Sequence, residues 1–163
     1  MEKLFFQQER VGEGGAHFTL FKIQTMYPHE GVRVDENGRK NGDDEYIIPT
    51  RAWLRKTGLD EVPQIVNIIL RDMNFFGARP TTPIQMTQFQ EGERERYCRS
   101  KPGLIGPYLF FHQGGYCDQN PRKASDAYLR LRKMKEGKKK ELFLMNLEAL
   151  RRSLMAIVKG KHT

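Results

Sequence analysis

The sequence predicts an α+β fold, a mainly helical single domain over residues 1–163 with an N-terminal β-hairpin and amphipathic helices of the interfacial type. Two runs of aromatic and branched residues near the N terminus are separated by a glycine-rich turn. Two later segments carry apolar residues at three- and four-residue spacing, which is typical of helices with one apolar face. A length of 163 residues, of which 38% are hydrophobic, supports one modest core.

The N-terminal segment predicts a β-hairpin over residues 4–23. Two runs rich in aromatic and β-branched residues flank a glycine-rich turn at residues 12–15. Residues 28–49 are polar and contain the turn pairs Asn37-Gly38 and Asn41-Gly42. A segment of this length with few apolar anchors predicts a long mobile loop.

A core region is expected over residues 51–107. A short helix begins at Arg51 and stops near Gly58. A second helix follows Asp60, with Pro63 in its first turn, where a missing N–H group has no intrahelical partner to lose. The apolar residues of this helix recur at intervals of three and four, which predicts that they share one buried face: Val62, Ile65, Val66, Ile69 and Met73.

Two rigid loops and a third helix complete this region. The loop at residues 77–83 is expected to end the second helix, because Gly77 permits a tight bend and two prolines fix the local backbone. Residues 85–99 predict a partly exposed helix, and the glycine- and proline-rich residues 101–107 predict another loop.

Residues 122–163 form a basic amphipathic segment. They hold 13 Lys and Arg against 4 Asp and Glu, whereas the first 121 residues hold 15 against 16. Such a block attracts polyanions, and both nucleic acid and an anionic membrane surface qualify.

A helix is predicted over residues 141–158 in this basic segment. Its apolar stripe consists of Phe143, Leu144, Leu147, Leu150, Leu154 and Val158. The stripe can lie in a membrane interface, held there by the run Lys138-Lys139-Lys140, or it can pack on the core. Helical spacing leaves both interpretations open.

Composition excludes several classes of protein. The mean hydropathy is −0.68 and no apolar run approaches the roughly 20 residues that span a bilayer. The first residues are followed at once by a polar run, so no signal peptide is predicted. Cys98 and Cys117 form no Cys-x-x-Cys pair, which predicts two reduced thiols and no zinc site.

Asp60 and Glu61 stand at the predicted start of the second helix, and two interpretations are open. Asp60 can cap the helix while Glu61 interacts with its positive end. Alternatively, the exposed amides of the helix keep the Asp60 carboxylate ionised and available as a nucleophile. Spacing alone does not choose between them.

A longer pattern surrounds this pair. Residues 54–80 read L-R-K-T-G-L-D-E-V-P-Q-I-V-N-I-I-L-R-D-M-N-F-F-G-A-R-P. They resemble the signature of the bacterial sugar transferase family, the monotopic polyprenyl-phosphate phosphoglycosyl transferases, which reads approximately L-R-x-[ST]-S-L-D-E-L-P-Q-L-x-N-V-L-x-G-D-M-S-x-V-G-P-R-P.

Three other segments fall in the order that this family shows. Residues 5–12, F-F-Q-Q-E-R-V-G, resemble its F-x-Q-E-R-x-G opening, and residues 21–26, F-K-I-Q-T-M, resemble its F-K-x-R-T-M. Residues 99–106, R-S-K-P-G-L-I-G, resemble its R-x-x-[KR]-P-G-[IL]-T-G loop. The resemblance therefore covers nearly the whole chain.

The resemblance implies an enzyme that moves a sugar phosphate from a UDP-sugar to polyprenyl (undecaprenyl) phosphate and releases UMP. Asp60 matches the nucleophile, which would carry an aspartyl-phosphosugar intermediate. Because two anionic phosphate species must approach an anionic carboxylate, a Mg²⁺ ion is expected, shared by Asp60 and Glu61. Arg79 and Pro80 match the phosphate-binding loop.

Lys22 and Arg55 match further family positions expected near the phosphates of the nucleotide sugar. Arg79 could instead form a surface ion pair, and Lys22 and Arg55 could be ordinary solvated charges. Gln24 replaces the family's usual Arg, which is expected to weaken phosphate binding because an amide cannot neutralise charge. Ala78, Arg71 and Ile105 replace the usual Pro, Gly and Thr.

Members of the family usually begin with an apolar helix that enters one leaflet, and residues before Leu4 contain none. We therefore expect a peripheral protein on the cytoplasmic face of the bacterial inner membrane, with a membrane-anchoring protein as a further partner, or a cytoplasmic one if no anchor exists. The alternatives are a non-catalytic partner of a full-length transferase and a basic nucleic-acid-binding module. Nucleic acid is not the expected partner, because stacking aromatics are not interleaved with the C-terminal basic residues.

Overall fold

The computed structural model describes residues 3–28, 43–106 and 121–158. Strands β1 (Phe5–Val11) and β2 (His17–Ile23) pair antiparallel over their full length. A 3-10 turn at Glu13–Gly15 joins them, and both of its glycines have positive φ, a conformation that glycine adopts without steric cost. The predicted hairpin is confirmed.

Helices make up most of the remaining described chain. They are α1 (Ala52–Thr57), α2 (Gln64–Ile69), α3 (Pro83–Thr87), α4 (Glu91–Cys98), α5 (Pro121–Met134) and α6 (Lys139–Val158). Two short strands, β3 (Asn74–Phe76) and β4 (Gly103–Ile105), form a second sheet. The predicted mainly helical α+β class is confirmed.

The predicted mobile loop at residues 28–49 is wrong at its C-terminal end. Residues 29–42 lie outside the described residues. The segment that follows contains two 3-10 turns, Asp43–Tyr46 and Pro49–Arg51. Ile48 between them is only 2% exposed, and its N–H donates to the Thr25 carbonyl at 2.9 Å. One buried isoleucine therefore anchors a stretch whose composition is otherwise that of a loop.

Helix α2 presents the face opposite to the one that its sequence predicts. The apolar residues of the predicted face are exposed, apart from Met73: Val62 by 47%, Ile65 by 45%, Val66 by 46% and Ile69 by 73%. The buried residues of the helix are Gln64 and Asn67, at 3% and 0% exposure. Polar contacts, not apolar burial, dock this helix.

Helix α2 is also shorter than predicted. It ends at Ile69, and Arg71 then adopts a positive φ of 65°. Few residues other than glycine adopt this conformation, which explains why the resembling family usually has glycine at this position, and nothing in the structure explains the arginine. The chain continues into β3, which the sequence did not predict.

The second sheet depends on a close approach of two glycines. Strands β3 and β4 pair in parallel, with Asn74 beside Gly103. A Cβ atom added to Gly77 would lie 2.5 Å from the Gly103 nitrogen, and one added to Gly103 would lie 2.0 Å from the Gly77 nitrogen. Gly77 lies in a bend, as predicted, and also makes this backbone contact, and the predicted loop at residues 101–107 contains a strand.

The C-terminal region folds as two helices. Arg96 of α4 contacts Asp126 of α5 at 2.6 Å. In α6, Met145 is buried, whereas Phe143, Leu144 and Leu147 are 65%, 52% and 48% exposed. For these three residues the core-packing interpretation of the apolar stripe is wrong. None of the described helices is long and apolar enough to traverse a bilayer.

The core lies between the hairpin, the segment after β3 and the later helices. Its buried members come from β1, the segment after β3 and helices α3 to α6: Val11, Ala78, Met86, Tyr97, Tyr128, Leu129 and Met145. Met86 and Tyr97 are only 4% and 2% exposed, so the segment predicted as one partly exposed helix is two helices that contribute to the core.

Candidate active site

Asp60 lies in a 3-10 turn, Leu59–Glu61, between α1 and α2. The residue is 7% exposed. The N-cap of α2 is Pro63, and no side chain caps the helix there, so the predicted capping role of Asp60 is wrong. The alternative interpretation placed the Asp60 carboxylate at the amides that begin the second helix, whereas the residue lies in a separate turn before α2 and is buried.

Burial and charge act on Asp60 in opposite directions. Loss of hydration is the largest effect and raises the pKa of this carboxyl above its ordinary value. The positive charges of Lys22 and Arg55 lower the same pKa, whereas the neighbouring Glu61 raises it. The carboxylate is therefore held between two cations and a second acid.

Lys22 forms the direct ion pair of the site. Its Nζ lies 2.5 Å from Oε1 of Glu61, and both side chains are partly buried. Lys22 is on β2 and Glu61 immediately precedes α2, so the pair joins the hairpin to the acidic turn. Its interpretation as an ordinary solvated charge is wrong.

Asn67, on α2, holds that helix against strand β2. Its Nδ2 donates to the Thr19 carbonyl at 2.7 Å, and its Oδ1 accepts from the Phe21 N–H at 3.2 Å. Both partners belong to β2, so the side chain pairs with the strand as a neighbouring strand would. Sequence reasoning did not identify Asn67 as functional, although it lies in the quoted signature.

Arg55 and Arg79 occupy different positions around the acids. Arg55 is partly buried on α1 and donates from Nη1 to the Met26 sulfur at 3.0 Å. Arg79 is exposed. Its positive charge lowers the pKa of Arg10, and it is not among the charges that shift the pKa of Asp60. The structure thus brings Lys22, Arg55 and both acids together, and places Arg79 in a neighbouring arginine pair.

Arg10 is the cation that sequence reasoning missed. Burial and the charge of Arg79 lower its pKa to about 10, and the charges of Tyr97 and Glu61 oppose this. Its Nη1 donates to the carbonyl of Pro80 at 2.8 Å. The position could have been noticed, since Arg10 lies in the F-x-Q-E-R-x-G motif quoted above. It stands between the acidic turn and the loop that carries Arg79.

The predicted motifs thus meet in space. The family described as bacterial sugar transferase has a sequence profile that matches residues 1–135. The chain belongs to the bacterial sugar transferase family. Helix α6 lies beyond the matched residues, so the site and its three motifs are inside the family region.

Curated members of the bacterial sugar transferase family share about a third of the aligned residues with this chain. The uncharacterized sugar transferase EpsL of Bacillus subtilis (strain 168) is 32% identical over 103 residues, covering 63% of this chain and 48% of its own length. The exopolysaccharide production protein ExoY of Sinorhizobium fredii is 32% identical over 117 residues, covering 63% and 51%.

A third relative has a more specific name. The UDP-glucose:undecaprenyl-phosphate glucose-1-phosphate transferase of Xanthomonas campestris pv. campestris is 34% identical over 107 residues, which cover 63% of this chain and 22% of that protein. The alignments with EpsL and ExoY span about half the length of those relatives.

Proposed function

We propose that this protein is a phosphoglycosyl transferase that moves a sugar phosphate from a UDP-sugar to polyprenyl phosphate. The observation that carries the proposal is the Asp60-Glu61 pair, held beside Lys22 and Arg55 within the family region. Names of relatives support the reaction class, because one is a UDP-glucose:undecaprenyl-phosphate transferase.

The proposed reaction has two balanced steps. An oxygen of the Asp60 carboxylate attacks the phosphorus bonded to the sugar, and the bond to the bridging oxygen of the diphosphate breaks, so that UMP leaves with the electron pair. The resulting acyl phosphate carries the sugar. A phosphate oxygen of the polyprenyl carrier then attacks the same phosphorus, which frees Asp60.

Fixed cations make the first step possible. Attack of a carboxylate on an anionic diphosphate requires positive charge near the phosphoryl oxygens. Lys22 already neutralises Glu61, and Arg55 favours the ionised form of Asp60. In this proposal, Arg79 and the loop at Pro80 bind the nucleotide phosphates, since an exposed guanidinium can donate two parallel hydrogen bonds. The Pro80 carbonyl itself is held by Arg10.

The two acids fit the Mg²⁺ that the family resemblance implies. Magnesium is usually held by one or two carboxylates together with substrate phosphates, not by a full protein cage. No cluster of three or more His, Cys, Asp or Glu side chains occurs among the described residues. Asp60 and Glu61 would hold the ion, which when bound would supply positive charge at the phosphates.

Apolar surface supports a membrane-associated substrate. From the acidic turn to the end of α2, Leu59, Val62 and Ile69 are 44%, 47% and 73% exposed. The α6 stripe adds three more exposed apolar side chains, and Lys138 immediately precedes this helix. We infer that these faces contact an anionic membrane surface, from which a lipid-linked phosphate reaches the site.

The second candidate is a non-catalytic relative that acts as a partner of a full-length transferase. Burial of Asp60 at 7% exposure favours it, because a nucleophile must reach the donor phosphorus. The same burial raises the pKa of Asp60, which opposes the charged form that attack requires. The two candidates differ in whether Asp60 forms a covalent bond to a sugar phosphate.

The experiment tests for this covalent intermediate. Purified protein receives MgCl₂ and a panel of UDP-sugars without acceptor, and UMP release and intact mass are measured. The proposal predicts one UMP per protein at most, with a matching gain of one sugar phosphate in mass. Addition of polyprenyl phosphate should restore turnover. Asp60→Asn should abolish both signals, whereas Glu95→Gln, an exposed control on α4, should retain them.

Two results would decide against parts of the proposal. If no donor yields UMP under conditions in which a full-length relative works, the non-catalytic candidate is preferred. If Asp60→Asn releases UMP as the unmodified protein does, Asp60 is not the nucleophile. Circular dichroism of each variant tests whether a loss of signal comes from unfolding.

A further inference from the structure

The segment that carries Arg79 is held at four successive carbonyl groups. The Ala78 carbonyl accepts from the Gly103 N–H at 2.8 Å, and the Thr81 carbonyl accepts from the Val11 N–H at 2.9 Å. Between them, the Arg79 carbonyl accepts from the Tyr97 hydroxyl at 2.9 Å. The Pro80 carbonyl accepts from Arg10, as described above.

Tyr97 bonds this segment twice. Its hydroxyl oxygen also accepts from the Thr81 N–H at 2.9 Å, so one side chain satisfies a donor and an acceptor two residues apart. The residue is 2% exposed, and its ring meets that of Phe89 edge to face, with 5.7 Å between centroids. A buried ring on α4 thus fixes a hydroxyl whose partners are all main chain.

The backbone of residues 78–81 is therefore rigid, whereas the Arg79 residue is exposed. Arg79 reaches solvent, but its own carbonyl and those of its neighbours are fixed by three different elements, β1, α4 and β4. The nearby charge of Arg10 repels that of Arg79, so the arrangement holds two like charges close together. An anion placed between them would be attracted by both, and a fixed backbone lowers the entropy lost when Arg79 binds it.

We propose that Tyr97 is a positioning residue that orders Arg79 for the phosphates of the nucleotide donor. This inference rests on the proposed function, and it assigns a role to a residue outside the quoted motifs. Tyr97 does not touch the donor. It acts through the Arg79 carbonyl and the Thr81 N–H.

The test uses the full chain and four proteins: unmodified, Tyr97→Phe, Arg79→Ala and the double variant. Binding of UDP with MgCl₂ is measured by calorimetry. Tyr97→Phe removes only the hydroxyl, and with it both hydrogen bonds to this segment, and should weaken UDP binding about fivefold. In the Arg79→Ala background the same change should have no further effect, because the two residues act as one unit.

A second readout needs no ligand. Nitrogen-15 relaxation of Arg79 Nε reports the order of its side chain, and Tyr97→Phe should lower that order. Tyr128→Phe is the matched control, because Tyr128 is another buried tyrosine of the core and its hydroxyl bonds Asn146 at 3.5 Å, away from this segment. That control should leave both Arg79 order and UDP binding unchanged.

The outcomes separate this inference from the proposed function. Equal loss of UDP binding in both backgrounds, or unchanged Arg79 order in Tyr97→Phe, would overturn the positioning role. If the unmodified protein does not bind UDP, the proposed function is contradicted, and Arg79 order alone then decides whether Tyr97 orders that side chain.

Discussion

Replacing Asn67 with alanine should destabilise the fold far more than replacing Ile69, although Ile69 is an apolar residue of the same helix. Asn67 is fully buried and Ile69 is 73% exposed. Truncation at Asn67 removes two hydrogen bonds to β2 and leaves the Phe21 N–H and the Thr19 carbonyl without that partner. Truncation at Ile69 uncovers no buried group.

The magnitude follows from the two main-chain groups. Each buried group left without a partner costs about 1–3 kcal/mol, and water can reach part of this interface because Thr19 is exposed. We therefore expect Asn67→Ala to lower the free energy of unfolding by about 2–3 kcal/mol. Ile69→Ala should change it by less than about 0.5 kcal/mol, as is usual for exposed sites.

Urea denaturation followed by circular dichroism measures both values, with the slope of each transition compared to ensure that the same surface unfolds. Lys22 and Glu61 are held together by the same docking, so UMP release from a UDP-sugar without lipid acceptor should fall in Asn67→Ala and not in Ile69→Ala. Equal destabilisation by the two variants would refute the inverted orientation of α2.

Three further predictions concern the acid, the glycine contact and the strained turn. Because burial raises the pKa of Asp60, the folded protein binds this proton more tightly than the unfolded chain, so this contribution to stability is complete below pH 3.8 and is lost as the pH rises through the raised value. Asp60→Asn should therefore raise the melting temperature at pH 7, with a gain that shrinks towards pH 4; a constant gain would contradict the assignment. Gly103→Ala should cost at least about 2 kcal/mol in the same urea assay, because its Cβ would overlap the Gly77 backbone, whereas Gly92→Ala on the surface of α4 should stabilise by about 0.5–1 kcal/mol; similar effects would argue against the contact. Arg71→Gly should add about 0.5–1 kcal/mol by relieving a positive φ, and a loss of stability would show that the turn is unstrained.

Local patterns predicted the elements that local physics decides. The hairpin follows from two strand-forming runs around glycines that adopt positive φ. Helix α1 ends as predicted because Gly58 takes a left-handed conformation at φ 72°. The family motifs gave the residues of the site, and the matched profile confirms the family.

The spacing of apolar residues predicted the wrong buried face for α2, because such patterns assume that the apolar face of a helix turns inward. In the fold, Asn67 finds two main-chain partners on β2, and leaving each of those buried groups unpaired would cost about 1–3 kcal/mol. A hydrogen bond between residues 46 or 48 positions apart has no signature in local spacing. The same reasoning explains why β3 and β4 were missed, since each is three residues long and is defined by its partner.

The sequence by itself determined which chemical groups this protein carries: two adjacent acids, a lysine and arginines in the order of a known family. Tertiary structure decided their environment. It buried Asp60, paired Lys22 with Glu61, and set Arg10 and Tyr97 under the loop of Arg79. Burial and long-range hydrogen bonds depend on which segments meet, and that is a property of the whole fold and not of any one stretch of residues.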